Sequence, residues 1–323
     1  MRQDAAAAAN PDSPKATRPP SSVRNWMTAA RLPFSSVAVA PFLAGSFIAW
    51  RSGREIEPLL AGAGALAVML ITSGCHLLGE CYDQVEDRLT RIHGRTAFSG
   101  GTLVVADGAI APGAARAAGA LLFLAALGLG LGLSLARADW RLAALGTLGI
   151  ASAALYSLPP VRLVRRGAGE LLIAFCYGWL TLTTGYFVAS GALPKLSWFF
   201  AIPQALAIFM VILLNEFPDR EPDRIAGKRN LVVRLGPDRA ARLYGLAALL
   251  LAAAMFAVWA VFRRAAFLWL PAALPAAMLA GALGWEVALR GVWRSAASVE
   301  PHCRRGIVLN HLVTLGLAAL VTA

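Results

Sequence analysis

Nine stretches of this chain are apolar for long enough to cross a lipid bilayer, and that constrains its fold more than anything else in it. They run roughly over residues 27–50, 59–81, 113–135, 140–156, 168–190, 197–217, 241–262, 266–289 and 304–322. The hydrocarbon core of a bilayer demands about 17 to 25 consecutive apolar residues of a helix. A soluble domain also needs about a quarter of its residues charged to solvate its surface, whereas here 15% are charged and 58% hydrophobic. The expected fold is all-α, a polytopic membrane bundle of about nine transmembrane helices, with residues 25–323 as one domain. Residues 1–24, rich in Ala, Pro, Ser and charge, contain no apolar signal-peptide core and read as a disordered cytosolic tail.

The net charge of +12 does not point to nucleic acid, because the basic residues sit in short loops between apolar runs. If the N-terminus and the even-numbered loops share one side, that side holds 23 of the 30 Lys and Arg residues. Such a bias places the N-terminus and those loops in the cytoplasm, and nine crossings put the C-terminus outside. The four cysteines form no CxxC pair and the four histidines no HExxH, so neither a disulfide framework nor a zinc site is expected.

An internal repeat carries the chemistry. Gly79-Glu80-Cys81-Tyr82-Asp83-Gln84-Val85-Glu86-Asp87-Arg88 and Asn215-Glu216-Phe217-Pro218-Asp219-Arg220-Glu221-Pro222-Asp223-Arg224 align with Glu, Asp, Asp and Arg in register. Each segment lies at the cytoplasmic end of an apolar run. On a helix, Glu80, Asp83 and Asp87 share one face. Glu216, Asp219 and Asp223 do the same only if the helix survives Pro218 and Pro222, so a bent or unwound end is expected there. Clustered carboxylates repel unless a cation sits among them, and ionisable groups beside a membrane are functional by default. Oxygen donors without His or Cys suit Mg²⁺ or Ca²⁺. Candidate metal-binding residues are Glu80, Asp83, Asp87, Asn215, Asp219 and Asp223.

Cationic side chains follow both segments. Arg88, Arg91 and Arg95 follow the first, Lys228, Arg229 and Arg234 the second, and loop 4 adds Arg162, Arg165 and Arg166. Carboxylates, metal and basic groups around one cavity indicate a diphosphate site, for which Arg88, Arg162, Arg165, Lys228 and Arg229 are the candidates. The same residues satisfy the charge bias of cytoplasmic loops, so position alone assigns none of them. No Walker A or kinase motif occurs, so the diphosphate reads as a leaving group. If the other half is an allylic prenyl chain, departure of the diphosphate leaves a carbocation, which Tyr156, Phe175, Tyr177 or Phe217 could stabilise through their ring faces.

These residues resemble the UbiA-type intramembrane prenyltransferases from about Arg31 to the C-terminus. That family's N-x-x-x-D-x-x-x-D motif appears here as Gly79…Asp83…Asp87, and its D-x-x-x-D motif as Asp219…Asp223 after Asn215. Gly227-Lys228-Arg229-Asn230-Leu231-Val232-Val233-Arg234-Leu235-Gly236 is similar to its GKxTLxVxLG stretch and Ser99-Gly100-Gly101 to its SGG turn. Tyr156-Ser157-Leu158-Pro159-Pro160-Val161-Arg162 and Gly167-Ala168-Gly169-Glu170 look like its loop 4 signature. The resemblance implies a nine-helix bundle with a lateral, lipid-accessible cavity, and two Mg²⁺ ions held by Asp83, Asp87, Asp219 and Asp223. It implies diphosphate contacts from Lys228, Arg162 and Arg165, and Tyr156 close to the reacting centre. The donor would be a prenyl diphosphate and the acceptor an aromatic quinone precursor. The sequence details resemble the menaquinone branch, which implies 1,4-dihydroxy-2-naphthoate. One departure is Gly79 in place of the family's Asn, so either Glu80 compensates or one ion is held differently. A terpene cyclase on the same scaffold and a secondary transporter are the competing readings; transport sites lie near the bilayer midplane, unlike these helix ends.

Overall fold

The computed structural model of the chain describes residues 22–93, 95–193, 195–266 and 270–320, and every regular element among them is helical. After α1 (Val23–Ala29) come α2 (Leu32–Arg51), α3 (Pro58–Tyr82) and the short α4 (Gln84–His93). They are followed by α5 (Pro112–Arg137) and α6 (Trp140–Ser157). Next, α7 (Gly169–Ile173), a π-helical stretch (Ala174–Leu180) and α8 (Thr181–Ser190) run on without a break. The chain continues through α9 (Lys195–Phe200), α10 (Ile202–Ile225), α11 (Leu231–Leu235), α12 (Pro237–Ala266), α13 (Leu270–Ala288) and α14 (Ala296–Leu320). Most of the expected tail, residues 1–24, lies outside the described residues. Its last two members already belong to α1, whose start is capped by the Ser22 hydroxyl, which accepts the Asn25 N–H at 3.2 Å.

Helices α2, α3, α5 and α10 each carry a proline in the first turn, where its missing N–H would have had no helical partner. Among the described residues, six helical stretches are long and apolar enough to cross a membrane: Leu32–Arg51, Pro58–Tyr82, Pro112–Arg137, Gly169–Ser190, Ser197–Ile225 and Pro237–Phe262. The other three runs read from the sequence fall on α6, α13 and α14.

The two halves of the bundle pack differently. Helices α10, α12, α13 and α14 form a solid wall around Tyr244, Leu251, Leu283, Leu309 and Val313, all fully buried. Three of its polar side chains bond to one another: Gln204 Nε2 donates to Asn310 Oδ1 at 2.6 Å and Thr314 Oγ1 to Gln204 Oε1 at 3.0 Å, as buried polar side chains in membrane bundles do. Helices α2, α3, α5, α6, α8 and one face of α10 instead surround a cavity of about 300 Å³. Its back wall is sealed where α2 crosses α8. A Cβ on Gly45 would lie 2.0 Å from the Leu182 carbonyl oxygen, and one on Gly185 1.9 Å from that of Phe42, so only glycine permits this approach.

Candidate active site

The first acidic segment does not lie on one helix. Asp83 leaves helical geometry (φ −105°, ψ 19°) as the cap of α3, its N–H donating to the Gly79 carbonyl at 2.9 Å. Its own carbonyl accepts the Asp87 N–H at 2.9 Å as α4 begins. The expected shared face of Glu80, Asp83 and Asp87 is therefore interrupted. The second segment departs from expectation the other way, for α10 runs unbroken through Pro218 and Pro222. Pro218 cannot donate to the Leu214 carbonyl, and the Cys303 thiol of α14 donates there instead, at 3.9 Å, so a neighbouring helix supplies what the proline removed.

The four aspartates meet crosswise. Asp87 and Asp219 come together at the Ser99-Gly100-Gly101 turn. The Gly100 N–H donates to Asp219 Oδ2 at 2.5 Å. Gly101, at φ +25°, lies so close to Asp87 that a Cβ there would come within 1.8 Å of Oδ2. Asp83 and Asp223 come together on Lys228, whose Nζ is 3.9 Å from Asp83 Oδ2 and 3.5 Å from Asp223 Oδ1. Asn230 Nδ2 also donates to Asp223 Oδ2 at 2.7 Å, while its Oδ1 caps α11 by accepting the Val233 N–H at 2.9 Å. Glu80 Oε1 accepts the Thr102 N–H and so ties down the same turn. Buried oxygens of Glu80, Asp87, Asn215, Glu216 and Asp219 have no hydrogen-bond partner among the described residues.

Of the five basic residues expected at a diphosphate, three lie beside this cluster. Lys228 lines the cavity. Arg162 Nη2 donates to Asp83 Oδ1 at 2.6 Å and to the Tyr82 carbonyl at 2.8 Å. Arg165 donates to the Ala226 carbonyl and stands 3.6 Å from Glu86 Oε1. Arg88 turns away, donating to the Ala106 carbonyl at 3.2 Å, and the Arg229 side chain is exposed outside the cavity. Burial, with the Glu80 and Asp83 charges next to it, pushes the Asp87 carboxyl up to about 8. Burial and Asp83 also raise Glu86. Burial opposes the charge on Lys228, but Asp223 and Asp83 outweigh it and hold the ammonium well above its usual range. Carboxyls pushed toward protonation are ones that an added cation would relieve.

Among the described residues, no three acidic, His or Cys side chains converge as a closed metal cage. Each crosswise pair instead offers two carboxylates as candidate ligands, with no imidazole or thiolate among them. That fits Mg²⁺, which keeps waters and is completed by substrate phosphates. The cavity continues from this acidic end into an apolar interior lined by Phe42, Val68, Leu133, Leu145, Leu180 and Val188. Tyr156 and Tyr177 line it; Phe175 instead stacks on Trp179 at 5.3 Å and Phe217 packs against Trp293 at 5.6 Å. Arg31, His76 and Cys75 also line the cavity, and Glu86 joins the cluster; sequence reasoning assigned none of them a role. Glu86 was obscured because its counterpart in the repeat is Pro222.

The sequence profile of the UbiA prenyltransferase family matches residues 38–299. The chain belongs to this family. It is 40% identical over 100 residues to the bacteriochlorophyll synthase 33 kDa chain of Cereibacter sphaeroides, covering 29% of this chain and 32% of that protein. It is 30% identical over 135 residues to the 1,4-dihydroxy-2-naphthoate octaprenyltransferase of Bacillus subtilis, covering 42% of this chain and 43% of that one. The match thus spans less than half the length of either relative. The fold is similar to that of a UbiA homolog from Archaeoglobus fulgidus bound to GPP and Mg²⁺, with a TM-score of 0.59 and 17% identity over 91% of this chain and 99% of that one. Family membership and the six apolar helices make this an integral membrane protein.

Proposed function

We propose that this chain transfers a prenyl group from an allylic prenyl diphosphate to an aromatic acceptor, 1,4-dihydroxy-2-naphthoate being the first candidate, with two Mg²⁺ ions. The observation that carries the reading is the crosswise meeting of the Asp83/Asp223 and Asp87/Asp219 pairs at the mouth of an apolar cavity. Mg²⁺ held by these pairs would neutralise charge on the departing diphosphate. Lys228 binds the same diphosphate, and Arg162 and Arg165 balance charge around its rim. The apolar interior takes the prenyl tail, excludes water and opens laterally to lipid. Tyr156 and Tyr177 offer ring faces to the positive charge that develops on the allylic carbon. The likeness to the naphthoate enzyme supports the acceptor.

Gly79 faces open space, with no atom within 4 Å of where a Cβ would stand. An Asn-type ligand is therefore missing there, and Glu80, with one unpartnered oxygen, takes its place. Nine membrane crossings, with residues 25–323 as one domain and the N-terminus and site in the cytoplasm, agree with the Lys and Arg bias.

The test is turnover in liposomes with Mg²⁺ and labelled prenyl diphosphates, with and without 1,4-dihydroxy-2-naphthoate, 4-hydroxybenzoate or homogentisate. A lipid-soluble product that requires one acceptor is expected. A hydrocarbon formed without acceptor would mean a cyclase, and no Mg²⁺-dependent consumption of any donor would defeat the assignment.

A further inference from the structure

One more reactive side chain reaches the cavity from α3. His76 stands one turn before Glu80 on the same helical face, and Asp83 caps the end of that helix about two turns on. That places it roughly 6 to 10 Å deeper along the helix axis than these carboxylates, at a rise of about 1.5 Å per residue. Its Nδ1 is 3.0 Å from the Ala30 carbonyl oxygen. A carbonyl only accepts, so Nδ1 carries the hydrogen and Nε2 of the neutral ring is left with a free lone pair. His76 lines the cavity, and no described residue bonds to Nε2. Of the carboxylates lining the cavity, Glu80 accepts the Thr102 N–H, Asp219 accepts the Gly100 N–H, and Asp83 and Asp223 face Lys228, while Glu80, Glu216 and Asp219 each keep one oxygen without a partner at the acidic end. Tyr156 and Tyr177 also line the cavity, where a flat ring can stack on them.

We propose that His76 Nε2 takes the hydroxyl proton of the aromatic acceptor as the prenyl group is transferred, an inference that rests on the prenyltransferase reading above. The C1–O bond of the prenyl diphosphate breaks and its electron pair leaves with the diphosphate. A ring carbon ortho to the hydroxyl bonds to C1, and the hydroxyl proton passes to Nε2. The product is first a neutral dienone, which regains aromaticity when the ring C–H proton moves to its oxygen. The imidazolium returns its proton to the diphosphate. The chemical class served is a hydroxyarene, and His76 touches its reacting hydroxyl.

The test compares wild type with His76→Gln and His76→Ala across acceptors whose ring hydroxyls differ in acidity. Gln keeps a donor for Ala30 and an acceptor for the hydroxyl but takes no proton. With His76→Gln, kcat should fall by about 100-fold, in the range of general-base contributions, while the acceptor KM and Mg²⁺-dependent donor binding stay within about twofold. The deficit should shrink as the acceptor hydroxyl becomes more acidic. His76→Ala should show the same acidity trend with a raised acceptor KM. Turnover of His76→Gln within about twofold of wild type, or a deficit equal across the acceptor series, would overturn the role of His76 alone. Wild type that prenylates no acceptor would instead overturn the reading on which it rests.

Discussion

The two acidic segments repeat the same residues on different backbones. The one without proline breaks at Asp83, and the one with two prolines runs unbroken. The break lets Asp83 reach Arg162 and Lys228 while Asp87, on the next helix, meets the Gly100–Gly101 turn. The continuous helix sets Asp219 and Asp223 one turn apart, so each faces a different partner in the first segment. What repeats is the side-chain chemistry, and the difference in backbone converts two parallel motifs into two crosswise pairs.

The largest test of this pairing is removal of its charges. Asp87→Asn and Asp219→Asn should each lower turnover on the order of 10³-fold, comparable to losing a major electrostatic group. The double variant should be little worse than either single, because the two act as one unit. Joining Asp87→Asn to Asp223→Asn, from different pairs, should cost further, and a steady-state assay of all combinations separates these patterns. Gly101→Ala drives a Cβ into the Asp87 carboxylate and should cost about 100-fold through displacement of order 1 Å. Lys228→Met should raise the prenyl diphosphate KM by about tenfold through loss of a charge-assisted contact, with the acceptor KM unmoved.

A smaller effect follows from pH. Burial and the neighbouring acids hold Asp87 near 8, so it must release a proton to take a cation. Apparent Mg²⁺ affinity, followed by calorimetry, should fall by up to about tenfold for each pH unit below about 8. Because its folded pKa lies above the unfolded value, the metal-free protein should lose stability as pH rises from about 4 toward 8, and Mg²⁺ should restore it. Least affected is Pro218→Ala. Since α10 is already helical there, turnover should stay within about twofold, and a larger drop would show that the proline shapes the site.

Much of this was legible in the chain. Apolar run length located the helices, since a bilayer imposes length directly, and the register of Glu, Asp, Asp and Arg located the site. The fate of the prolines was not, because the thiol that answers Pro218 comes from Cys303 on a helix some 85 residues away. Nor was the break at Asp83, where neither Gly nor Pro marks it. Arg88 follows Asp87 directly, and the roughly 100° turn between adjacent helical residues carries it to the Ala106 carbonyl. Phe175 and Phe217 sit near helix ends in the sequence, but facing is decided by packing against Trp179 and Trp293.

The most direct test of the central claim is to count Mn²⁺, standing in for Mg²⁺, bound by the full chain in detergent with an unreactive prenyl thiodiphosphate, using its paramagnetic resonance signal. Two ions for the wild type, and about one after Asp87→Asn or Asp219→Asn, are expected. No bound ion in the wild type, or an unchanged count in both variants, would contradict the crosswise metal pairs.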